Sequence, residues 1–480
     1  MSAPTIRGPA RLALAAVLLL VAAPPSRAAD VELSRDEVRY RLRPPFEEPG
    51  FEMPGSEPRK NTALAIGEAV GINLLMWQTA YWSGAQFAKI SFSTISDNFH
   101  KGWIVDTDSY WINQIGHPYQ GSAYFNAARS TGHNFYESFG VAFLGSLMWE
   151  QVMELQSPSF NDQVSTSFGG SVLGEAFYRI YRLILDSGGA NPGGWRRFGA
   201  FVVSPVAGGN DLFFGDRYRG PALLPPSWMG ELQAGMLIGG RVTDVNTGAQ
   251  ASETGPWATV GVHVLYGVPG TPDLRLRKPF DHFDLRAGLS FTSKAAQPAA
   301  SLLVRGTVVG DTIESDSRSL GLWGLFASYD VIDESVFKAA GFGLGPGVTL
   351  VGRWGWFELQ GTALAEVLPW AGGGSINKLF DRDYHYGPGA EGLLDFRSLF
   401  GNRVIFDLSA REFFISGAYA TGASEDVTWA RAALITRIFG PHALSISADW
   451  AVRHARYPAN PNVFERGEFL LAHYTLLQGW

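Results

Sequence analysis

The feature that most constrains the fold is an alternation of apolar and polar side chains with a period of two residues, which recurs from about Trp228 onward. Successive side chains of a β-strand point to opposite faces, so this period predicts strands. We count about 12 such segments of roughly 9 to 11 residues, the length of a tilted strand that crosses a bilayer. They start near Glu231, Trp257, Asp281, Ala299, Arg318, Val336, Val351, Tyr386, Arg403, Val427, His442 and Arg466.

The segment that starts at His442 shows the pattern most clearly. Its apolar side includes Ile446 and Trp450, and its polar side includes Ser447 and Asp449. A soluble β-sandwich has the same alternation, because one face of each of its sheets is also buried. The period alone therefore leaves a sandwich and a membrane barrel open.

Two features of the predicted strands favour the barrel. Aromatic residues such as Phe291, Trp429 and Trp450 flank the apolar sides, as in the interface girdles of membrane barrels. In the C-terminal half, long connections such as 412–426 alternate with short ones such as 440–441. Long outer loops and short inner turns are typical of outer-membrane barrels.

The last predicted strand carries a more specific signal. Leu470, Ala472, Tyr474 and the terminal Trp480 fall on one face. A terminal aromatic residue with this spacing resembles the assembly signal of bacterial outer-membrane barrels. We therefore predict a transmembrane β-barrel over 228–480, with outer-membrane lipid and the barrel-assembly machinery as partners.

Composition excludes other classes of protein. The net charge is -7 and no long basic run occurs, so we expect no nucleic-acid partner. The chain has no cysteine, and therefore no disulfide, thiolate metal site or cysteine nucleophile. Charged residues make up 17% of the chain, fewer than the roughly 25% of ordinary soluble domains. That deficit fits a chain with one face against lipid.

Residues 1–28 have the organisation of a signal peptide. Two arginines form a basic start, 12–23 is an unbroken apolar run, and small residues precede a cleavage site after Ala28. The alternative, a short membrane anchor, is disfavoured because the run has about a dozen residues where spanning needs roughly 20. We expect export to the bacterial outer membrane, with the acidic, proline-rich stretch 29–60 as a periplasmic linker.

The stretch 61–186 predicts a compact helical domain. Its run 69–88 contains no charged residue and is long enough for a transmembrane helix, but interspersed glycine, asparagine and glutamine favour a protein-packed helix. Two further helices are expected at 131–155 and 162–186, and 187–227 is expected to connect the domain to the barrel.

Small residues predict close helix packing in this domain. Gly67 and Gly71 lie on one face of the first helix, and Thr166 and Gly170 lie on one face of the third. Some lumen-side positions of the predicted strands are apolar, Leu303 among them, which an empty aqueous lumen does not favour. We therefore predict that the helical domain lies in the lumen or at its periplasmic mouth.

Ionisable side chains among apolar ones mark a candidate site in this domain. Burying an unpaired charge costs several kcal/mol, so these residues either pair with one another or line a wet site. His133 and Glu137 form either a structural hydrogen bond or part of a site, and Glu175 and Arg179 form either an ion pair or a catalytic unit. No metal site is predicted. The candidates are Asp106, Asp108, Asn113, His117, His133, Glu137, Glu150, Glu154, Asp162, Glu175 and Arg179.

His117 is the most distinctive of these candidates. Pro118 disfavours helical backbone before it, and glycines bracket the run G-H-P-Y-Q-G, so a tight loop is expected. A neutral imidazole in such a loop serves either as a base or metal ligand oriented by Asp106, Asp108 or Glu150, or as a buried side chain that a carboxylate satisfies.

Several motifs of the helical domain resemble one known family. They are D-T-D-S-Y-W-I-N-Q-I-G-H-P-Y-Q-G at 106–121, S-L-M-W-E at 146–150 with Glu154, Asn161-Asp162, and Gly174-Glu175. The resemblance is to the domain of unknown function 3943 family and covers about 61–182. It implies an exported bacterial envelope protein with no established reaction. No nucleophile elbow, zinc-protease motif or phosphate loop is present, and the residues identify no cofactor.

Two hypotheses of different class follow. In the first, the chain is an outer-membrane barrel with a structural or transport-related role and a helical plug. In the second, it is an envelope enzyme that modifies lipid or glycan through His117 and nearby carboxylates. Convergence of the candidate residues around a solvent-reachable cleft favours the second.

Overall fold

The computed structural model describes residues 59–480 apart from 107, 190, 216, 219–225, 254–257, 273, 292–298, 316–317, 375–383, 420–421, 459 and 480. The predicted signal peptide, nearly all of the predicted linker and the terminal Trp480 lie outside the described residues.

The N-terminal unit is helical between Thr62 and Phe214. The predicted third helix ends at Asp186 as expected, but the predicted connection 187–227 contains two further helices. In the part of the chain that the structure describes, no helix is both long and apolar enough to cross a membrane. The helices are α1 (Thr62–Trp82), α2 (Phe92–His100), α3 (His117–Arg129), α4 (Phe135–Met148), α5 (Phe160–Val164), α6 (Gly170–Asp186), α7 (Gly194–Val203) and α8 (Pro205–Phe214), with π-helical turns at Ile112–Gly116, Trp149–Met153 and Ser165–Gly169.

Only one of the two predicted stripes of small residues is used for close packing. A Cβ placed on Gly121 of α3 would lie 1.7 Å from the carbonyl oxygen of Thr166, and one on Gly170 of α6 would lie 2.6 Å from the Cα of Gly121. The two backbones therefore touch directly at this crossing. The other prediction is wrong, because a Cβ on Gly67 or Gly71 of α1 meets nothing within 4 Å.

The rest of the described chain is one antiparallel sheet that closes into a barrel. Of its 13 strands, the second only extends the hairpin of the first, which leaves 12 in the wall and confirms the predicted barrel. The first strand pairs with both the third and the last, and this closes the wall. The strands are β1 (Trp228–Asp244), β2 (Gln250–Glu253), β3 (Ala258–Tyr266), β4 (Phe283–Phe291), β5 (Ala299–Ser315), β6 (Arg318–Asp333), β7 (Lys338–Trp354), β8 (Phe357–Gly373), β9 (His385–Phe400), β10 (Val404–Ser416), β11 (Ser424–Phe439), β12 (His442–Tyr457) and β13 (Asn460–Gln478).

Most strands are longer than the sequence pattern predicts. Strand β5 has 17 residues and β13 has 19. Strand β10 continues to Ser416 and β11 begins at Ser424, so most of the predicted long connection 412–426 is wrong.

The barrel wall has its apolar residues on the outer face and its polar residues on the inner face, the reverse of a soluble protein. Ion pairs that join distant strands, such as Arg286 of β4 with Asp395 of β9, identify the face that points into the lumen. On β12, the lumen-facing Ser447 is 4% exposed, whereas the outward-facing Ile446 is 54% exposed. An apolar outer face and a polar interior are the arrangement of a wall that contacts lipid.

The girdle prediction requires the aromatic residues to lie on the outer face of the barrel, and not all of them do. Phe291 and Trp450 are exposed. Trp429, in contrast, occupies the same side of β11 as lumen-facing Arg431, and the guanidinium groups of Arg411 and Arg431 stack on its ring at 5.1 and 5.6 Å. The girdle prediction is therefore wrong for Trp429, which the cation–π contacts hold inside the barrel.

The helical unit packs against the outer face of the barrel, over strands β3 to β9. Because Arg286 points into the lumen, its neighbours Phe283 and Leu285 point outward, and both are buried in one apolar cluster with α6. On β6, the ring of outward-facing Tyr329 packs against Gly169. A Cβ added to Gly169 would lie 2.6 Å from this ring. The predicted position in the lumen or at its mouth is wrong, because charged side chains of the barrel occupy the inner face of the same strands.

Two connections between strands fold into the lumen instead. The connection 267–282, between β3 and β4, places Leu274 in a buried cluster with lumen-facing Phe326. The connection 334–337, between β6 and β7, buries Phe337 in a second lumen cluster. The connection between β3 and β4 is long because part of it lies in the lumen.

Candidate functional site

Three π-helical turns of the helical unit border one polar cluster. The turn Ile112–Gly116 supplies Asn113, Trp149–Met153 supplies Glu150, and Ser165–Gly169 supplies Thr166. Such turns widen a helix by one residue, redirect its side chains, and are frequent at functional sites. The acidic cluster, as we call this group, consists of Asp106, Asp108, Asn113, His117, Glu150, Glu154, Asn161, Asp162 and Thr166.

The first π turn follows from the position of Pro118. Proline has no N–H, so the carbonyl of Gln114, four residues earlier, lacks its α-helical donor. The N–H of His117 donates to the carbonyl of Ile112 instead, and the hydroxyl of Tyr329, from the barrel wall, donates to the carbonyl of Gln114 at 3.0 Å. His117 is thus the first residue of α3, and the predicted tight loop is wrong.

Side-chain amides hold the acidic cluster together. Asn161 Nδ2 donates to Oδ1 of Asp106 at 2.6 Å and to Oδ1 of Asp162 at 3.0 Å. Asn113 Nδ2 donates to Oδ1 of Asp106 at 2.8 Å and to the Tyr384 hydroxyl at 2.8 Å. Since Tyr384 lies beside β9, the barrel wall contributes one side of the cluster.

Glu150, Glu154 and Asp162 accept hydrogen bonds from uncharged donors. Glu150 Oε2 accepts the backbone N–H of Ser159 at 2.8 Å, and Glu154 accepts the indole N–H of Trp149. The other oxygen of Glu150 is buried and has no hydrogen-bond partner among the described residues. Among the described residues, no arginine or lysine forms an ion pair with Glu150, Glu154 or Asp162. Ionisation of all three would therefore place negative charges close together with no cation of the described residues to balance them.

This arrangement raises the proton affinity of the carboxylates. Burial, reinforced by the charge of Asp162, raises the pKa of Glu150 well above its usual range, and burial with the charge of Asp106 does the same for Asp162. Burial also raises the pKa of Glu154 to about 7. A carboxyl group that titrates near neutral pH both donates and accepts a proton under physiological conditions.

His117 lies within reach of two members of the cluster. Its Nδ1 is 3.2 Å from Thr166 Oγ1, and its Nε2 is 3.6 Å from Asp162 Oδ1. Burial lowers the pKa of His117, although the charges of Glu154 and Asp106 oppose this effect. A neutral imidazole beside protonated carboxyl groups is a combination suited to general acid–base chemistry.

Seven of the eleven predicted site residues therefore come together. Asp108 belongs with them, because its backbone carbonyl accepts the Tyr384 hydroxyl at 2.5 Å and its charge raises the pKa of Asp162. Over the described ranges, no three His, Asp or Glu side chains are arranged to hold a metal ion. The seven are Asp106, Asp108, Asn113, His117, Glu150, Glu154 and Asp162.

His133 and Glu137 lie elsewhere and do not share a helix face. His133 precedes α4, and its Nε2 is 2.9 Å from Thr62 Oγ1. Glu137 accepts the backbone N–H of Asn134 at the start of α4 and pairs with Lys60 at 2.8 Å. The hydrogen bond from Lys60 lowers the pKa of Glu137. The predicted pairing fails because the helix begins only after His133.

Glu175 and Arg179 form a second, separate polar site. Glu175 Oε1 is 2.8 Å from Arg179 Nε, and Glu175 Oε2 is 2.7 Å from Arg129 Nε. Arg179 Nη1 also lies 2.8 Å from Asp281 of the lumen connection 267–282. Burial alone would raise the pKa of Glu175, but the two guanidinium groups outweigh burial and lower it. The geometry is that of a structural ion-pair network.

Sequence reasoning missed the groups that link the site together. Asn161 is adjacent to Asp162 in one of the quoted motifs, so its proximity was visible although its crosslinking role was not. Arg129 is 46 residues from Glu175, and Tyr384 is 271 residues from Asn113. No local pattern signals contacts at such separations.

The acidic cluster lies within a segment that matches a known family model. Residues 102–206 match the Domain of unknown function (DUF3943). The resemblance inferred from the sequence motifs is thus confirmed for this segment. The DUF3943 segment includes α3 to α7 and none of the barrel strands. No curated protein matches the chain.

Solved structures similar to this chain are outer-membrane proteins of low sequence identity. The COG4313 outer membrane channel from Pseudomonas putida F1 is 9% identical with a TM-score of 0.28, over 54% of this chain and 97% of that chain. The outer membrane protease OmpT from Escherichia coli is 7% identical with a TM-score of 0.21, over 54% and 99%. The Pseudomonas putida toluene transporter TodX is 9% identical with a TM-score of 0.22, over 54% and 90%.

Proposed function

We propose that the protein is a bacterial outer-membrane protein whose closed barrel is a scaffold for the helical unit. The observation that carries this proposal is a set of ion pairs across the lumen. Arg286 of β4 and Arg305 of β5 both bond Asp395 of β9, at 3.0 and 2.5 Å. Arg411 of β10 bonds Asp330 of β6 at 2.7 Å. Side chains from opposite walls therefore fill the space that an open channel needs.

Other contacts support a closed lumen. Arg397 of β9 bonds Glu231 of β1 at 3.0 Å, which adds a further pair across the barrel. A cavity beside Glu334, Arg431 and Asp449 has a volume of about 40 Å³, room for a few water molecules. Solute passage through the described barrel requires these pairs to separate. A helical plug is not part of this proposal, because the helices pack outside.

The outer-membrane location rests on the wall and on the expected processing of the chain. Outward-facing apolar residues such as Leu434, Leu444 and Ile446 are exposed, and lipid is the solvent that suits them. Export through the predicted signal peptide and assembly of β13 by the barrel-assembly machinery complete the proposal. The partner in the mature state is outer-membrane lipid.

Fractionation and gel mobility test this location. The protein should sediment with outer membranes and migrate faster unheated than boiled, because a closed hydrogen-bond ladder survives detergent. Inner-membrane fractionation without a mobility shift contradicts the proposal.

Electrical recording tests the closed lumen. In planar bilayers the wild-type protein should show no steady current. The double variant Arg305→Ala, Arg411→Ala should leak, because it removes pairs that span the lumen. Arg241→Ala is the matched control, since Arg241 pairs with Glu468 where both side chains are 52% exposed. A steady wild-type current of porin size overturns the scaffold proposal, and heat-dependent mobility verifies that each variant is folded.

The acidic cluster favours a second candidate function, an envelope enzyme that modifies lipid or glycan. The specific observation is that His117, whose Nδ1 is 3.2 Å from Thr166 Oγ1, interacts electrostatically with Glu154, a carboxyl group whose pKa is about 7. In this candidate, His117 accepts a proton from the attacking group, and a protonated carboxyl donates one to the leaving group. The barrel then positions the cluster relative to the membrane lipids.

Paired variants test this second candidate. Purified protein is incubated with outer-membrane lipids or with envelope glycan, and products are measured by mass spectrometry. Product formation should be lost in His117→Ala without a lower melting temperature, and retained in His133→Ala, which removes another buried histidine of the same unit. Absence of product with wild-type protein, or equal product with His117→Ala, excludes the enzyme.

A further inference from the structure

The helical unit covers part of the wall that elsewhere is bare and apolar. Val304, Ala327 and Leu344 face outward, and they belong to the apolar cluster shared with the helices. Each lies well inside its strand, away from the turns: Val304 within Ala299–Ser315 and Leu344 within Lys338–Trp354. Mid-strand positions of a membrane barrel lie in the apolar layer of the bilayer. The helices therefore occupy a place that lipid occupies on the remaining wall.

The side of the helical unit that faces away from the barrel is also apolar. On α1, Leu75 is 66% exposed and Trp82 is 76% exposed, and on α4 Leu144 is 59% exposed. Helices α1 and α4 lie side by side, linked by the hydrogen bond from Asn73 Nδ2 to the carbonyl of Gly145 at 3.0 Å. Their exposed side chains thus belong to adjoining surfaces, which we call the α1–α4 face.

Charged groups are almost absent from these two helices. Glu68 is the single charged residue of α1, and Glu137, in the first turn of α4, is the single charged residue of that helix. Exposed apolar surfaces of this kind mark contact with a membrane or with another protein. A water-soluble domain docked on the barrel would instead carry charges on its outer side.

We infer that the helical unit is immersed in the lipid beside the barrel, with the α1–α4 face against acyl chains. This rests on the proposed membrane barrel. Continuity with the bare wall selects lipid as the occupant: a body that displaces lipid from mid-strand positions must itself meet lipid on its far side.

The absence of cysteine from the chain makes the inference directly testable. Single-cysteine variants Leu75→Cys and Leu144→Cys are spin-labelled in reconstituted vesicles. Collision rates with oxygen, which enriches in lipid, and with a water-soluble nickel chelate are then compared. Ile446→Cys on the bare wall is the lipid reference, and Asn402→Cys, in the exposed turn between β9 and β10, is the water reference.

The labels at Leu75 and Leu144 should show the same oxygen preference as the label at Ile446. A nickel preference like that at Asn402 overturns the inference and places the α1–α4 face in water. Protection of the labels from both oxygen and the nickel chelate also overturns the inference, because it means that a protein covers the α1–α4 face. Spin–spin broadening would then identify that protein as a second copy of this chain. If the label at Ile446 also prefers nickel, the membrane barrel itself fails, which distinguishes that failure from failure of the inference. Because either label decides alone, one poorly folded variant does not prevent the test.

Discussion

Two buried acidic sites in the helical unit have opposite effects on the ionisation of their carboxyl groups. Glu175 is held between Arg129 and Arg179, whereas Glu150 and Asp162 have no described cationic partner. Their burial is similar, so the environment decides the outcome: the first site favours the ionised carboxylate and the second favours the protonated form. Burial of an acid is therefore not by itself evidence of function in this protein.

The Glu175 site connects the two parts of the molecule. Arg179 bonds both Glu175 and Asp281, and its Nη2 donates to the carbonyl of Pro279 at 2.6 Å. One side chain thus joins the outer helices to the connection that enters the lumen. The acidic cluster makes no comparable ionic link to the barrel in the described structure; its contacts to the wall are tyrosine hydroxyls such as Tyr384.

The largest expected effect comes from breaking the first site. Glu175→Gln should lower the free energy of unfolding by about 3 to 5 kcal/mol, because it leaves two buried guanidinium groups without their shared counter-ion. The urea midpoint of the circular-dichroism signal at 222 nm measures this loss. Glu137→Gln is the matched control: it removes the same charge from an exposed pair, so its cost should be about 0 to 1 kcal/mol. Equal costs for the two variants would mean that burial does not distinguish the sites.

The acidic cluster should make the stability of the protein depend on pH. Glu154 has a pKa of about 7 when folded, against 4.5 ordinarily, so the folded state binds the extra proton between these values. Glu154 should therefore contribute a fall in stability of up to about 3 kcal/mol as pH rises from about 5 to 8. Glu175, whose pKa is lowered, is ionised in both states over this range and contributes no slope. Urea midpoints across this pH range measure the slope, and Glu154→Gln should flatten it; an unchanged slope in that variant contradicts the assignment.

The smallest effect is expected from neutralising the second site. Asp162→Asn should leave stability at pH 8 unchanged or raise it by up to about 2 kcal/mol, because it removes a buried acid whose ionised form no cation of the described residues balances. The asparagine oxygen still accepts the hydrogen bond from Asn161. Thermal unfolding beside Glu175→Gln measures the contrast in sign. A loss as large as that of Glu175→Gln would show that an unrecognised cation balances the cluster.

Local patterns determined much of the architecture. The two-residue period predicted the barrel and its strand count, because strand geometry alternates side chains between faces wherever the strand lies. The end of α6 at Asp186 and its close packing at Thr166 and Gly170 were also visible, because both depend on residue types within a few turns. The DUF3943 motifs located the acidic cluster for the same reason.

Other features were decided only by tertiary structure. A two-residue period shows that a strand has two faces but not what covers each of them. The sequence therefore placed the helices in the lumen or at its periplasmic mouth, whereas they pack outside the barrel, against Phe283 and Tyr329. Likewise, Glu175 and Glu150 are equivalent carboxylates in the sequence. Arg129 reaches one of them across 46 residues, and no cation of the described chain reaches the other. Whether a charged group finds a partner depends on the three-dimensional structure, because the Coulomb energy depends on the distance between the charges and on their surroundings, and not on their separation along the chain.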